Sequence, residues 1–77
     1  MKLNVVSPKG VICSVEAESV TFPGTEGSFT VLRNHAPIMA MLEKGDIVYR
    51  IQGEESRIPV AKGVVNVSHN IIDVCVE

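Results

Sequence analysis

The sequence predicts an all-β domain, an antiparallel β-sandwich or flattened barrel of about nine or ten short strands. Three observations carry that expectation. Apolar and polar residues alternate through a succession of short runs, the period of a pleated strand with one buried face. Turn-forming clusters divide those runs at regular spacing: Ser7-Pro8-Lys9-Gly10, Pro23-Gly24, Gly53-Glu54-Glu55-Ser56 and His69-Asn70. The apolar fraction of 45% is reached with no Trp, two Phe and one Tyr, so the core must come from Val, Ile, Leu, Met and Ala, a set suited to interlocking strands.

Taken in order, Leu3 to Val6 is a first strand and Ser7-Pro8-Lys9-Gly10 its turn. Val11 to Glu18 alternates, with Val11, Cys13, Val15 and Ala17 on the inner side and Ile12, Ser14, Glu16 and Glu18 on a mostly polar outer side. Ser19 to Phe22 continues it or pairs anew. Pro23 presets one corner of a turn and Gly24 accepts positive φ at the next, and Gly27 lets the chain bend again. From Ser28 to Leu32, Phe29 and Val31 share one face and Thr30 takes the other. Arg33-Asn34-His35 ends that strand, and Pro37 biases Ala36 away from helix.

Ile38 to Gly45 is ambiguous on local rules. Ala40, Met41, Leu42, Glu43 and Lys44 are helix formers, with Pro37 near the first turn and Gly45 placed to end a helix. Strand alternation also fits, with Ile38, Ala40 and Leu42 on one side and Met39, Met41 and Glu43 on the other. Asp46 to Gln52 places Ile47, Tyr49 and Ile51 on one face, and Gly53-Glu54-Glu55-Ser56 reads as a charged hairpin tip. The return strand, Arg57 to Lys62, contains Pro59, which cannot donate to a ladder and so marks a sheet edge or a bulge. Val64 to Ser68 and Ile71 to Val76 form a last hairpin around His69-Asn70, where Asn tolerates left-handed backbone.

Seventy-seven residues make one small domain, 1–77, with a core of little reserve. The net charge of −2, with both signs interspersed, offers no basic stripe for nucleic acid. The N-terminus lacks the apolar core of a signal peptide and no run approaches membrane-spanning length, so the expectation is a cytosolic chain that meets a membrane only through a partner. Cys13 and Cys75 are expected as free thiols. With His35 and His69 they make four possible zinc ligands, but they sit singly, without metal-site spacing. The carboxylates fall mostly at turns or outward strand positions, no serine lies in a glycine elbow, and no Gly-rich phosphate loop occurs. A non-catalytic chain is expected, with no metal, cofactor or small-molecule ligand.

The order Pro23-Gly24-Thr25-Glu26-Gly27-x-Phe29-x-Val31-Leu32-x-Asn34-His35-Ala36-Pro37, with Lys44-Gly45 after a short apolar run, resembles the epsilon subunit of F-type ATP synthases. Gly63-Val64-Val65-Asn66-Val67 followed by Asn70-Ile71-Ile72-Asp73-Val74 is similar to a second, less specific segment of that family. The resemblance spans almost the whole chain and favours the strand reading of Ile38 to Leu42. It implies a β-sandwich without an active site at the foot of the rotating stalk, clasping the gamma subunit and resting on the c-ring. There it would support coupling of ion transport to ATP synthesis. It also implies a peripheral place at the cytoplasmic face of the bacterial inner membrane, reached only through the complex.

Residue by residue, Thr25, Glu26, Gly27 and Ser28 match the loop that reaches toward the c-ring, while His35, Met39 and Met41 match positions near gamma. Pro23, Gly24, Asn34 and Pro37 are read as structural turn residues. Many family members have an acidic residue where this chain has Ser28, so charge pairing with a basic loop of the ring would rest on Glu26 or be weaker. Arg33 and Asn34 replace the usual Pro or Gly. Most members continue into two C-terminal helices that inhibit hydrolysis and in some bind ATP; because this sequence stops at Glu77, coupling and assembly without that hairpin are expected.

Two residue types admit two readings each. His35 and the Asn34 amide either bond local backbone and hold the bend before Pro37, or His35 faces a partner, and both can hold together. Met39 and Met41 are either core or, beside Glu43, the rim of a docking surface. Two other classes share the size. A small β-barrel nucleic-acid module would want exposed aromatics and a basic face. A biotinyl or lipoyl carrier would want a modifiable lysine at a hairpin tip, and Lys44 and Lys62 near turns lack that family's flanking residues.

Overall fold

The computed structural model describes residues 1–77. Nine strands make up the chain: β1 (Lys2–Ser7), β2 (Gly10–Glu16), β3 (Ser19–Phe22), β4 (Phe29–Leu32), β5 (Ile38–Leu42), β6 (Gly45–Ile51), β7 (Glu54–Val60), β8 (Gly63–Ser68) and β9 (Ile71–Val76). They form a five-stranded sheet in the order β2-β1-β9-β8-β5 and a four-stranded sheet in the order β4-β3-β6-β7. This is the sandwich that the alternation predicts. Every neighbouring pair is antiparallel except β1 and β9, which run parallel. Parallel partners need a long connection, and here nearly the whole chain separates them.

The sheets close over Leu3, Val5, Val20, Phe22, Val31, Ile47, Val65, Val67, Ile72 and Val74, all fully buried. No polar side chain is buried among them. Met1 is drawn in as well. Its amine donates to the Ala17 carbonyl at 3.1 Å and lies 3.4 Å from the Glu16 carboxylate, so the buried charge is partnered.

Ile38–Leu42 is a strand, not a helix, because β8 pairs with it in unbroken register from Ile38↔Val67 to Leu42↔Gly63. Leu42 is buried and Ile38 and Ala40 half-buried, while Met39 and Met41 are exposed, as alternation requires. Tertiary pairing overrides helix propensity here. Pro59 lies on β7, an outer strand of its sheet, where a missing N–H is tolerated. Cys13 and Cys75 are free thiols.

Two expectations are corrected. Val11 does not share the inner face with Cys13, Val15 and Ala17. Val5 pairs with Cys13 and Val6 with Val11, so Ile12 is an extra residue in a β-bulge that breaks the alternation, and Val11 is 70% exposed. The hairpin between β6 and β7 turns on Gln52-Gly53, not on Gly53 to Ser56. Both turn residues have positive φ, 49° and 79°, the signature of a tight two-residue turn whose twist matches the strands. Glu54, Glu55 and Ser56 therefore belong to β7.

Candidate partner-binding site

The segment after β3 is pinned to the edge of the opposite sheet. The Thr25 N–H donates to the Met41 carbonyl and the Glu43 N–H to the Pro23 carbonyl, both at 2.9 Å, making an isolated bridge between Gly24 and Leu42. The Gly27 N–H closes the turn onto the Gly24 carbonyl at 3.0 Å. Gly24 is required by this close approach and not by the positive φ expected of it, which it does not adopt: a Cβ there would stand 2.6 Å from the Gly27 carbonyl oxygen and 3.0 Å from the Phe29 ring. Phe29 in turn packs on Phe22 with ring centroids 5.4 Å apart, anchoring the loop to the core.

Between this loop and β5 runs an open groove of about 810 Å³. Gly24, Thr25, Glu26, Gly27, Ser28 and Phe29 form one wall, and Ile38, Met39, Ala40, Met41 and Val64 the other. The structure thus brings Thr25–Ser28 together with Met39 and Met41, although the sequence resemblance implies different partners for the two sets. Met39 is 73% and Met41 64% exposed, so neither is core. Glu26 is the one charged side chain lining the groove.

An apolar row extends from the groove across the outer face of the five-stranded sheet. Register places Met41 opposite Val64, Val64 opposite Cys75, Cys75 beside Val6 and Val6 opposite Val11. A polar row follows it, with the Ser14 hydroxyl donating to Asn4 Oδ1 at 2.8 Å and Asn4 Nδ2 donating to Asp73 Oδ1 at 3.1 Å.

His35 is not part of the groove lining. Its backbone N–H donates to the Leu32 carbonyl at 3.1 Å, and its Nδ1 lies 2.7 Å from the Ala36 carbonyl, so the ring is held locally with the proton on Nδ1. The Asn34 amide does something else. Asn34 adopts φ 66°, its backbone N–H donates to Asn70 Oδ1 at 2.6 Å, and Asn70 Nδ2 donates back to Asn34 Oδ1 at 3.0 Å. Two turns distant in sequence are thereby tied, with Pro37 following the knot as an exposed residue.

Residue reasoning missed Asn70, Phe29, Ile38, Ala40 and Val64 as parts of these features. The side-by-side placement of loop and β5 depends on which strands pair, which no single stretch encodes. One titration is displaced, and away from the groove. The pKa of the half-buried Tyr49 phenol is raised from its ordinary 10.0, first by the side-chain interaction with Cys13 and then by desolvation, while Ser56 opposes the shift. No three His, Cys, Asp or Glu side chains lie close enough to hold a metal ion.

The model of the ATP synthase, Delta/Epsilon chain, beta-sandwich domain matches residues 1–77. The ATP synthase epsilon chain of Desulfitobacterium hafniense is 40% identical over 72 residues, covering 94% of this chain and 54% of that one. That of Nitratiruptor sp. is 41% identical over 78 aligned positions, covering 100% and 60%. The chain thus spans little more than half the length of these relatives. Among solved structures, a chain of the Euglena gracilis mitochondrial ATP synthase superposes with a TM-score of 0.90 at 18% identity, covering 96% of this chain and 48% of that one. A chain from the central stalk and c-ring of the Tetrahymena thermophila mitochondrial ATP synthase gives 0.82 at 16% identity, covering 99% and 62%. These two likenesses establish the fold. Since the family model runs over every residue, from the edge-pinned Pro23-Gly24 loop to the last hairpin, the chain belongs to the ATP synthase delta/epsilon family, whose β-sandwich domain it comprises.

Proposed function

We propose that this chain is a non-catalytic joint of the central stalk of an F-type ATP synthase, attaching the gamma subunit to the c-ring. The observation that carries the reading is the groove: in a domain of this family, exposed Met39 and Met41 face a loop rigidly held by the Gly24–Leu42 bridge. Met residues adapt to irregular partner surfaces, and exposed apolar patches mark interfaces. Met39 and Met41 serve gamma, with His35 stiffening the turn before β5. The loop tip, Glu26, Gly27 and Ser28, serves the ring, and Glu26 supplies the charge that neutral Ser28 cannot. Bacterial epsilon relatives support a place at the cytoplasmic face of the inner membrane, reached through the complex.

Mechanically, the joint works by holding two partners at once on one stiff body. Engaging the first raises the effective concentration of the second, so modest affinities combine into a secure attachment. Torque then passes without slippage at the seam. The test is co-purification of the untagged chain with a tagged gamma subunit of the same organism, followed by gel filtration. A stoichiometric complex is expected. Failure with both proteins folded overturns the assignment.

A further inference from the structure

Four strands lie at sheet edges, β2 and β5 in one sheet and β4 and β7 in the other. An edge presents unpaired backbone groups that invite another chain, and folded proteins blunt such edges with bulges, proline, charge or brevity. β2 carries the bulge at Ile12. β7 carries Pro59 and the ion pair between Glu55 and Arg57 at 2.9 Å. β4 is only four residues long. β5 has no charge, no proline and no bulge.

One end of the β5 edge is closed by the Thr25 N–H on the Met41 carbonyl. That bond also shows which way the peptide groups point. Met41 directs its N–H and C=O away from β8, and the two-residue period of a strand sends those of Met39 the same way. The Met39 N–H and C=O and the Met41 N–H therefore face outward, and the loop bonds none of them. Behind them, Phe29, Ile38 and Ala40 are only half-buried, because the seam between the sheets is open there.

Building on the stalk reading above, which gives Met39 and Met41 to gamma, we propose that the β5 edge binds an extended segment of the gamma subunit as an added strand. Main-chain bonds to Met39 and Met41 hold it. Apolar side chains at alternate positions enter the seam over Phe29, Ile38 and Ala40. The charge argues against a second copy as the occupant, since self-pairing would bring two acidic loops to one seam without a cation lining it.

Amide hydrogen exchange on the free chain and on its complex with the gamma subunit tests this. In the free chain the Met39 and Met41 amides should exchange quickly while those of Ala40 and Leu42, bonded to β8, exchange slowly. In the complex the first pair should slow by about tenfold or more. A parallel variant is Met39→Pro, which removes an outward N–H and is tolerated on an edge. It should weaken capture by about tenfold beyond Met39→Ala. If Met39→Pro does not fold, exchange on the unaltered chain decides alone. A complex in which both amides stay fast, or in which Pro and Ala behave alike, overturns the added strand and leaves the stalk assignment standing. Absence of any complex removes both. A dimeric free chain with both amides protected overturns the choice of occupant.

Discussion

Asn70 ties two turns at the residue scale, and two substitutions separate its roles. Its side chain bonds Asn34 at both ends, and its own backbone sits at φ 63°. Asn70→Gly keeps the left-handed backbone and loses the side-chain bonds, for an expected cost of about 1–2 kcal/mol at this exposed site. Asn70→Ala adds about 1 kcal/mol more because a Cβ disfavours positive φ. Urea midpoints at constant slope measure both, and equal midpoints would show that the backbone conformation is not at issue. Tyr49 makes a pH prediction. Its folded pKa stands above the ordinary 10.0, chiefly because of its interaction with Cys13, so the folded state favours the neutral phenol. That contribution is complete below the unfolded pKa and is lost as pH rises through the folded value. Stability should therefore decline on the alkaline limb, and Tyr49→Phe should flatten the decline. Because Tyr49 is the sole tyrosine, phenolate absorbance reports it alone, and Cys13→Val should move that titration downward.

The loop and β5 are the elements that make the groove, and Gly24 decides how closely they meet. In Gly24→Ala the new methyl would stand 2.6 Å from the Gly27 carbonyl, so the turn must shift. An overpacked site of this kind costs about 1–3 kcal/mol, and partner capture should fall further than that loss of stability explains. Capture measured well below the melting range separates the two. The elements themselves were mostly legible in the sequence, since alternation and turn chemistry are local. Phe29 and Val31 facing inward from β4, Pro59 at an edge and the His69-Asn70 turn all follow from residue types at short spacing. What escaped depends on partners. The Ile12 bulge exists because Val5 and Val6 pair around it, β5 is a strand because β8 lies beside it, and the Asn34–Asn70 knot joins turns that local rules treat separately. The turn at Gln52-Gly53 escaped for a different reason: the acidic pair after it reads as a tip, whereas the two positive-φ residues alone complete the hairpin. The groove was half legible. Met39 and Met41 stood out as an apolar pair beside a charge, but their meeting with Thr25–Ser28 needed the strand order.

As a whole molecule, the domain has one core and little to spare. At about 0.05–0.15 kcal/mol per residue, a chain of this size is stable by roughly 4–12 kcal/mol. Phe22 is the largest fully buried side chain and supports Phe29, which lines the groove. Phe22→Ala should cost about 3–5 kcal/mol, which for a stability at the lower end of that range brings the isolated domain near its unfolding midpoint. A partner that binds the folded state alone raises apparent stability by about 2.7 kcal/mol at a hundredfold excess over its dissociation constant. Gamma in such excess should therefore return much of the lost stability to Phe22→Ala, and a melting curve with and without gamma measures it. Phe22→Leu, which keeps more of the volume, should lose less and need less rescue. If gamma leaves the melting curves of the unaltered chain and both variants in place, the partner does not select the folded sandwich, and the rigid joint loses its thermodynamic basis.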